Sequence, residues 1–358
     1  MNLRWPYLRP LLGLLLALSI QALPAWAGDV QIGVYYYPGW REEATGSSTP
    51  QPWQRIRAYK EREPQLGWYD EGDENVMRQQ IDMMVTKGLK FVAFDWYWLA
   101  ENRVFADHAL SNYFKAPNRA KLPFTLLWAN HGDTPRNFEN FDRMLGWWIR
   151  FYADRPEIMR VDGKPVIILF SGQNLDAQGK KFGMTGKELI AYAQHKAQAS
   201  GLPGFYFVAG SSGDDKAFLK QARSLGYSAV STYNMHAAPF SGKLTHSYKE
   251  LDAAYRGHWQ LYTADSSVPV FLPFTSGWDN RPWGGSSDPL HDNSQSTIEE
   301  FEAHLRAGRK VLDAMPVSEP RLGVICCWNE FGEGSYIEPT KAQGTAYLDR
   351  IKKVFGTP

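Results

Sequence analysis

The sequence has 358 residues, and its 39 basic and 38 acidic side chains give a formal net charge of +1 at pH 7. This balance lacks the excess of positive charge by which proteins attract nucleic acids, so we expect no nucleic-acid partner. Aromatic residues make up 14% of the chain and include 14 tryptophans, and flat aromatic rings either fill a core or stack on sugar rings.

The first 27 residues predict a signal peptide. Arg4 and Arg9 precede an apolar run at 11–23, and Ala25 and Ala27 place small side chains at the positions that a signal peptidase reads. The run is shorter than the roughly 20 residues that a membrane span needs, and no later segment is long and apolar enough to span. We therefore expect cleavage after Ala27, no stable membrane insertion afterwards, and a periplasmic or secreted protein.

Eight short apolar runs predict strands, at 31–37, 91–98, 124–128, 165–170, 205–209, 229–233, 268–274 and 322–328. Helical patterns accompany them, at 73–86, 138–152, 185–201, 216–225, 248–259, 296–315 and 347–354. Strands that alternate with helices are typical of parallel βαβ units, and eight units favour a closed (β/α)8 TIM barrel, in the α/β class, over an open sheet. We predict a single domain over residues 28–358. The long connection at 41–72 is of a kind that is often functional.

The only two cysteines are neighbours, Cys326 and Cys327. Consecutive residues of a strand point to opposite faces, so we expect no disulfide between them and interpret both as small buried apolar residues. No cluster of His and Cys has the spacing of metal ligands. No glycine-rich loop after the first strand suits a nucleotide, and no Gly-x-Ser-x-Gly motif indicates a serine hydrolase. We expect neither a metal nor another cofactor.

In barrels of this type the active site lies at the carboxyl ends of the strands. Here those positions combine aromatic rings, which stack on the C–H faces of sugars, with amides and acids, which bind hydroxyls. The substrate-binding candidates are Tyr36, Tyr37, Asp95, Trp96, Tyr97, Trp128, Asn130, His131, Tyr233, Asn234, Trp278, Asp279, Arg281, Asn329 and Glu338. Asp95 either binds a sugar hydroxyl or orients Asn130 and the tyrosines, and Glu338 is either a ligand or a structural anchor. His131 and His236 are interpreted as substrate contacts or satisfied polar groups rather than catalytic bases.

Two acidic residues, Glu330 and Glu333, follow the eighth predicted strand and are the catalytic candidates. Hydrolysis of a glycosidic bond typically uses two carboxyl groups, one as acid to the leaving oxygen and the other as nucleophile or base. Burial near Trp328 and Phe331 is expected to raise the pKa of one of them. The alternative is a pair of loop carboxylates that cap the last helix or bind an arginine, but their place at a barrel strand end favours catalysis.

The sequence around these acids, 329–334 followed by Ile337-Glu338-Pro339, resembles the terminal motif of glycoside hydrolase family 99 and of the related WbsX-like proteins. Segments 77–98, 128–130 and 161–166 also look like theirs. The resemblance implies a retaining, endo-acting α-mannosidase or mannanase on a (β/α)8 barrel without a metal. It also implies that Glu330 is the base for the sugar 2-hydroxyl, which attacks the anomeric carbon, and that Glu333 is the general acid/base.

Two positions depart from that family pattern. Phe331 stands where relatives often have Trp, and Gly332 stands where family 99 enzymes have His. The second departure concerns substrate recognition more than acid–base chemistry. We predict a secreted or periplasmic glycoside hydrolase that acts inside an α-linked oligosaccharide or polysaccharide. The alternatives are a non-catalytic carbohydrate-binding barrel of a polysaccharide system and a WbsX-like protein associated with glycosyl transfer.

Overall fold

The computed structural model of the protein describes residues 29–41, 51–211, 215–235 and 243–356. The predicted signal peptide, 1–27, and His236 lie outside the described residues. Within these ranges, no helix combines the length and the apolar character that crossing a membrane requires.

Eight parallel strands form a barrel. Their bounds are β1 (Gln31–Tyr36), β2 (Phe91–Trp98), β3 (Phe124–Trp128), β4 (Lys164–Leu169), β5 (Tyr206–Gly210), β6 (Ala229–Ser231), β7 (Leu272–Thr275) and β8 (Leu322–Cys326). They pair in the order β6-β5-β4-β3-β2-β1-β8-β7. A parallel bridge between Val230 of β6 and Val270, just before β7, joins the two ends of this order. The prediction of a (β/α)8 barrel is confirmed.

Helices surround the barrel in the described part of the chain. They are α1 (Glu74–Thr86), α2 (His108–Lys115), α3 (Phe138–Trp148), α4 (Gly172–Lys181), α5 (Gly186–Ala199), α6 (Lys216–Gln221), α7 (Tyr248–Asp265), α8 (Ile298–Ala314) and α9 (Ala346–Phe355). Sequence patterns did not predict α2 and α4. The first has only 8 residues, and the second buries Leu175 as its one large apolar side chain, so neither carries a clear helical period.

Shorter elements complete the chain. They are the 3-10 turns Lys60–Arg62, Arg119–Lys121, Arg281–Trp283 and Pro289–Asn293, the π-helical turn Ile149–Ala153, and the two-residue strands Val104–Phe105, Arg160–Val161, Asn329–Glu330 and Ser335–Tyr336. Several helices begin at a side chain that accepts a hydrogen bond from a free backbone N–H. Thr185 and Thr297 form complete capping boxes of this kind at α5 and α8, which fixes where those helices start.

Side chains alternate between the barrel interior and the layer under the helices. Tyr35 and Leu127 belong to the interior cluster, whereas Tyr36, Trp96 and Trp128 belong to the cluster that packs against the helices. Successive residues of a strand point to opposite faces, so only the inward series can reach the mouth of the barrel. This alternation decides which of the predicted site residues meet one another.

The two cysteines are buried, as predicted, but they form a disulfide with each other. The prediction against a bridge between Cys326 and Cys327 is therefore wrong. Its premise was that both residues alternate along one strand. Strand β8 ends at Cys326, and Cys327 is already part of the turn that leads into the motif.

The long connection before α1 forms a third apolar cluster beside the mouth of the barrel. Trp40, Trp53 and Tyr69 pack there with Phe331 and Tyr336 of the motif after β8. The rings of Trp40 and Trp53 stack with their centroids 3.9 Å apart. The described part of this connection, Trp40 and residues 51–72, is thus a packed support for the motif.

Candidate active site

A cavity of about 480 Å³ opens among the residues that follow the barrel strands. Its walls are Tyr37, Asp95, Tyr97, Leu127, Ala129, His131, Phe170, Tyr233, Asn234, Trp283, Glu330 and Glu333. It lies where barrel enzymes hold their active sites. The structure therefore brings both catalytic candidates together with aromatic and amide groups in one site.

A second cavity, of about 550 Å³, is lined by residues of α7 and α8 and by residues just before β7 and β8. It therefore lies at the amino-terminal end of the barrel, where residues generally serve stability. Glu319 is its single acidic side chain. The first cavity contains both acids that the sequence predicts to be catalytic, and it is therefore the candidate active site.

The motif after β8 folds into a short antiparallel hairpin. Asn329–Glu330 pairs with Ser335–Tyr336, and the turn between them carries Glu333, whose N–H donates to the Glu330 carbonyl at 3.2 Å. Gly334 in this turn has a φ of +69°, a left-handed conformation that glycine adopts without steric cost. Both catalytic candidates are therefore held on one tightly turned segment.

One tyrosine connects two of the three acids in the cavity. Tyr233 Oη lies 3.0 Å from Asp95 Oδ2 and 3.0 Å from Glu330 Oε1. A phenol has a single proton to donate, so both contacts are hydrogen bonds only when one of the two carboxyls is protonated. The second oxygen of Asp95, Oδ1, is buried and has no hydrogen-bond partner in the described part of the chain. One proton shared between Asp95 and Glu330 would therefore make both contacts hydrogen bonds.

Burial raises the pKa of all three carboxyls in the cavity. For Glu330 burial is the largest cause, the negative charges of Glu333 and Asp95 add to it, and the hydrogen bond from Tyr233 opposes it. For Asp95 burial again raises the pKa most, against the same tyrosine bond. Burial raises the pKa of Glu333 to about 7. A carboxyl with a pKa near neutrality can both give and take a proton in a reaction.

Another part of the cavity wall is aromatic and uncharged. The ring of His131 lies 6.2 Å from that of Tyr97 and 5.0 Å from that of Phe170. Burial lowers the pKa of His131, so its neutral form, which donates at one ring nitrogen and accepts at the other, is favoured. Among the described residues, no group of three or more His, Cys, Asp or Glu side chains could hold a metal ion.

A second set of buried acids lies behind the motif and does not line the cavity. Glu71 is its centre. Its Oε1 accepts hydrogen bonds from Tyr36 Oη at 2.9 Å and from Asn329 Nδ2 at 3.2 Å. Its Oε2 accepts from the backbone N–H of Trp40 at 2.9 Å and lies 2.9 Å from His108 Nε2. This carboxylate therefore joins β1, α2 and the motif.

Two residues predicted to bind substrate instead anchor the motif to the barrel. Asn329 exchanges two hydrogen bonds of 2.9 Å with the backbone of Tyr37. Glu338 accepts hydrogen bonds from Tyr69 Oη at 2.8 Å and from Gln80 Nε2 at 3.0 Å. Burial raises the pKa of Glu338 to about 8. The structure thus places Glu338 as the structural anchor that the sequence left as an alternative.

A buried arginine connects the loop before α1 to both loops of the site. Arg62 is 0% exposed. Its Nη1 donates to the carbonyl oxygens of Phe331 at 2.6 Å and Asp279 at 3.2 Å, and its Nη2 pairs with the Asp279 carboxylate. Arg281 Nε donates to the same carboxylate at 2.8 Å. Asp279 and Arg281, both predicted to bind substrate, are thus placed in an ion cluster beside the cavity.

Three further candidates belong to the layer under the helices. The rings of Trp96 and Trp128 lie 5.6 Å and 5.5 Å from that of Trp148 in α3. Tyr36 packs beside Phe94, with the ring centroids 5.0 Å apart. Each of the three is adjacent in its strand to a residue that points inward. Neighbouring residues of a strand point to opposite faces, so these three side chains point away from the cavity.

Two other candidates serve neighbouring loops. Asn130 exchanges hydrogen bonds of 2.8 Å and 2.9 Å with the backbone of Ser171 and so ties the end of β3 to the start of α4. Trp278 stacks on His291 with the ring centroids 5.5 Å apart. Both residues lie outside the cavity wall that the structure shows.

Sequence reasoning missed residues of two kinds. Phe170 lines the cavity, and applying the aromatic criterion to every strand end would have selected it. Glu71 and Arg62 position the site from an irregular segment. No periodic pattern or motif marks them, because their partners lie up to 269 residues away in sequence.

Comparison with known proteins gives a family. The family model described as glycosyltransferase WbsX matches residues 57–145 and 137–351 of the chain. WxcX of Xanthomonas campestris pv. campestris, a protein of uncharacterised function, is 22% identical over 314 residues, which cover 80% of this chain and 42% of WxcX. The chain thus spans less than half of the length of this relative.

Comparison with solved structures gives the fold. A GH99 endo-α-mannosidase from Bacteroides thetaiotaomicron matches with a TM-score of 0.61 at 14% identity, over 91% of this chain and 96% of that one. A glycoside hydrolase-like protein matches with a TM-score of 0.65 at 13% identity, over 93% and 96% of the two chains. The protein therefore has the barrel fold that glycoside hydrolases use.

Proposed function

The chain belongs to the glycosyltransferase WbsX family, and we propose that it is a glycosidase that cleaves an α-linked glycan at an internal bond with retention of configuration. One observation carries the proposal: Glu330 and Glu333 face a single cavity with aromatic walls at the carboxyl end of the barrel. Glycosidic bonds are typically cleaved by two carboxyl groups so placed. The α-linkage rests on the motif that resembles family 99 and on the name of the structurally similar endo-α-mannosidase.

Glu330 acts in this proposal as the base for the sugar 2-hydroxyl. Its carboxylate takes the hydroxyl proton, the 2-oxygen bonds to the anomeric carbon, and the glycosidic C–O bond breaks. The hydrogen bond from Tyr233 supports the anionic form of Glu330. Asp95 then holds the shared proton on the far side of Tyr233, so that the phenol donates to Glu330 while it accepts from Asp95. This order leaves Glu330 free to accept a proton from the substrate.

Glu333 acts as the general acid and then as the base. Its pKa of about 7 means that it is largely protonated in mildly acidic solution and about half protonated at neutral pH, and that proton goes to the departing sugar oxygen. A water molecule then attacks the anomeric carbon of the 1,2-anhydro sugar and gives its proton to the Glu333 carboxylate. The 2-oxygen recovers its proton from Glu330. The two displacements together retain the anomeric configuration.

Two glutamine variants and a panel of defined α-linked manno-oligosaccharides and bacterial exopolysaccharides test the proposal. We expect Glu333→Gln to lower turnover by about a thousandfold, the scale of acid–base catalysis, while glycan binding by calorimetry is retained. Glu139→Gln, an exposed acid on α3, is the matched control and should leave turnover unchanged. Undiminished hydrolysis by Glu333→Gln would overturn the roles assigned to the two acids.

Two other outcomes would replace the proposal. If the wild-type protein binds members of the panel but releases no product from any of them, the barrel is a carbohydrate-binding module without hydrolytic activity. If it lengthens an acceptor when supplied with a nucleotide-sugar or lipid-linked donor, the same site transfers sugars, as the description of its family says. Product analysis by mass spectrometry separates the three activities.

We also propose that residues 1–27 direct the protein to the periplasm or the exterior and are removed after Ala27. The pattern of charge, apolar residues and small residues in this segment supports it. Cell fractionation with amino-terminal sequencing should find a mature chain that begins at Gly28. A cytoplasmic chain that retains its first residues would contradict this proposal.

A further inference from the structure

The glycine between the two catalytic acids has no room for a side chain. A Cβ built on Gly332 would lie 1.7 Å from Nε1 and 1.9 Å from Cε2 of Trp283. Gly332 is not among the glycines with positive φ, so its backbone would accept alanine. The indole of Trp283 thus occupies the space that a side chain at position 332 would fill, and this contact is what requires glycine there.

Trp283 is held firmly in this place. It ends the 3-10 turn Arg281–Trp283, and its backbone N–H donates to the Asn280 carbonyl oxygen at 3.0 Å. Trp40 stacks near it with an interplanar angle of 13° and ring centroids 6.4 Å apart. The turn follows Asp279, whose N–H donates to the Glu333 carbonyl at 2.7 Å. These contacts hold the loop of Trp283 directly against the segment that carries Glu333.

We propose that Trp283 is a sugar-stacking subsite on the leaving-group side of the cleaved bond, and that Gly332 is small in order to admit it. The inference rests on the proposed function, in which Glu333 protonates the departing oxygen. Trp283 lines the cavity and packs against Gly332, the residue before that acid, so in this proposal the sugar ring that leaves is the ring beside it. An indole face binds the apolar C–H face of a pyranose by stacking. In a transfer reaction the same subsite would hold the acceptor sugar.

The test uses two substrates that differ only in the leaving group. One is an α-linked manno-oligosaccharide that extends beyond the cleaved bond, and the other is the α-glycosyl fluoride of the same non-reducing portion. For the oligosaccharide, we expect Trp283→Ala to raise KM by about tenfold with little change in kcat, as expected when binding common to ground and transition states is lost. For the fluoride, whose leaving group is too small to reach Trp283, we expect no change.

Three further variants make the result specific. Gly332→Ala pushes the indole away without altering it and should raise KM for the oligosaccharide as Trp283→Ala does. The double variant Gly332→Ala/Trp283→Ala should be no worse than either single one, because both changes remove the same contact. Trp278→Phe alters a tryptophan of the same loop that stacks on His291 outside the cavity, and it should leave both substrates unaffected.

The inference and the proposed function fail in different ways. Equal effects of Trp283→Ala on both substrates, or no effect on either, would overturn the subsite while the enzyme still cleaves. Absence of turnover in the wild-type protein would overturn the glycosidase. In that case the dissociation constants of the oligosaccharide and of its non-reducing portion, measured by calorimetry, still decide the subsite: only the first should weaken in Trp283→Ala. Trp283→Phe keeps a flat ring and should weaken binding of the oligosaccharide by less than Trp283→Ala does. This graded loss of affinity distinguishes weaker stacking from unfolding of the variant.

Discussion

Two groups of buried acids lie side by side in this molecule, and they differ in how many hydrogen-bond donors surround them. Glu71 has donors from Tyr36, Trp40 and Asn329, and it does not line the cavity. Asp95 and Glu330 both contact the one hydroxyl of Tyr233 and face the cavity. A carboxylate that receives several donors has its oxygen atoms satisfied by hydrogen bonds and serves as a fixed structural centre. A carboxyl that has few donors and faces the cavity is available to exchange a proton with a bound substrate.

The largest effect that this comparison predicts is on catalysis. Glu330→Gln should lower kcat by about a thousandfold, because the amide cannot accept the 2-hydroxyl proton. The same change removes a charge that burial disfavours, so thermal stability near pH 8 should be equal to or higher than that of the wild type. Activity assays and melting curves on one preparation check both parts. A large fall in the melting temperature would show that Glu330 is a structural acid instead.

The opposite result is expected for the acid with many donors. Glu71→Gln places an amide NH₂ against groups that are themselves donors, so the free energy of unfolding should fall by about 3 kcal/mol. Urea denaturation measures this loss. Glu74→Gln, an exposed acid at the start of α1, is the control and should change stability by less than about 0.5 kcal/mol. A denaturation midpoint for Glu71→Gln equal to that of the control would contradict the distinction between the two groups of acids.

A smaller effect is expected when the shared donor is removed from the cavity. Tyr233→Phe takes away the hydrogen bond that lowers the pKa of Glu330, so the base forms only at higher pH. We expect the acidic limb of the kcat/KM profile to move to higher pH and the rate at its optimum to fall by about tenfold or more. Tyr192→Phe, which removes a tyrosine–carboxylate contact of 2.6 Å with Asp142, is the matched control. An unmoved acidic limb would exclude Tyr233 as the support of Glu330.

The smallest effect concerns the pH dependence of folding stability. Burial raises the pKa of Glu338 to about 8 from its ordinary 4.5, so the native state holds this proton more tightly than the unfolded state does. The stabilisation is complete below about pH 4.5 and is lost as the pH rises through about 8. Glu338→Gln has no proton to lose there, so its melting temperature should decline less towards high pH, by roughly 2–4 °C for each kcal/mol recovered. Parallel curves for the two proteins would contradict the raised pKa.

Much of this molecule could be predicted from its sequence. The barrel follows from eight apolar runs that alternate with helices, and Glu330 and Glu333 are marked by their position after the last of these runs. The choice among the aromatic candidates was less successful because strand ends were treated as a whole. Tyr97 lines the cavity and Trp96 does not, and the period of two along a strand separates them once Asp95 is known to point inward.

The remaining features depend on tertiary contacts that no local pattern records. Arg62 and Glu71 are two ionisable residues in a long irregular connection, and their burial becomes visible only when β1, α2, the motif and the loop after β7 are assembled around them. The role of Gly332 is similar. The residue that requires it, Trp283, lies on a different loop. The sequence therefore shows only that position 332 has no side chain, and not that the indole of Trp283 fills the space.

The hairpin of Asn329–Glu330 and Ser335–Tyr336 has a consequence for how such a protein could change over evolutionary time. Both proposed acids are carried by one short piece of backbone, whereas other wall residues, such as Trp283, His131 and Phe170, come from separate loops. A substitution or insertion in one of those loops can reshape the cavity without moving the acids relative to each other. The two proposed acids are therefore retained together, whereas substitutions in the surrounding loops can change which substrate is preferred.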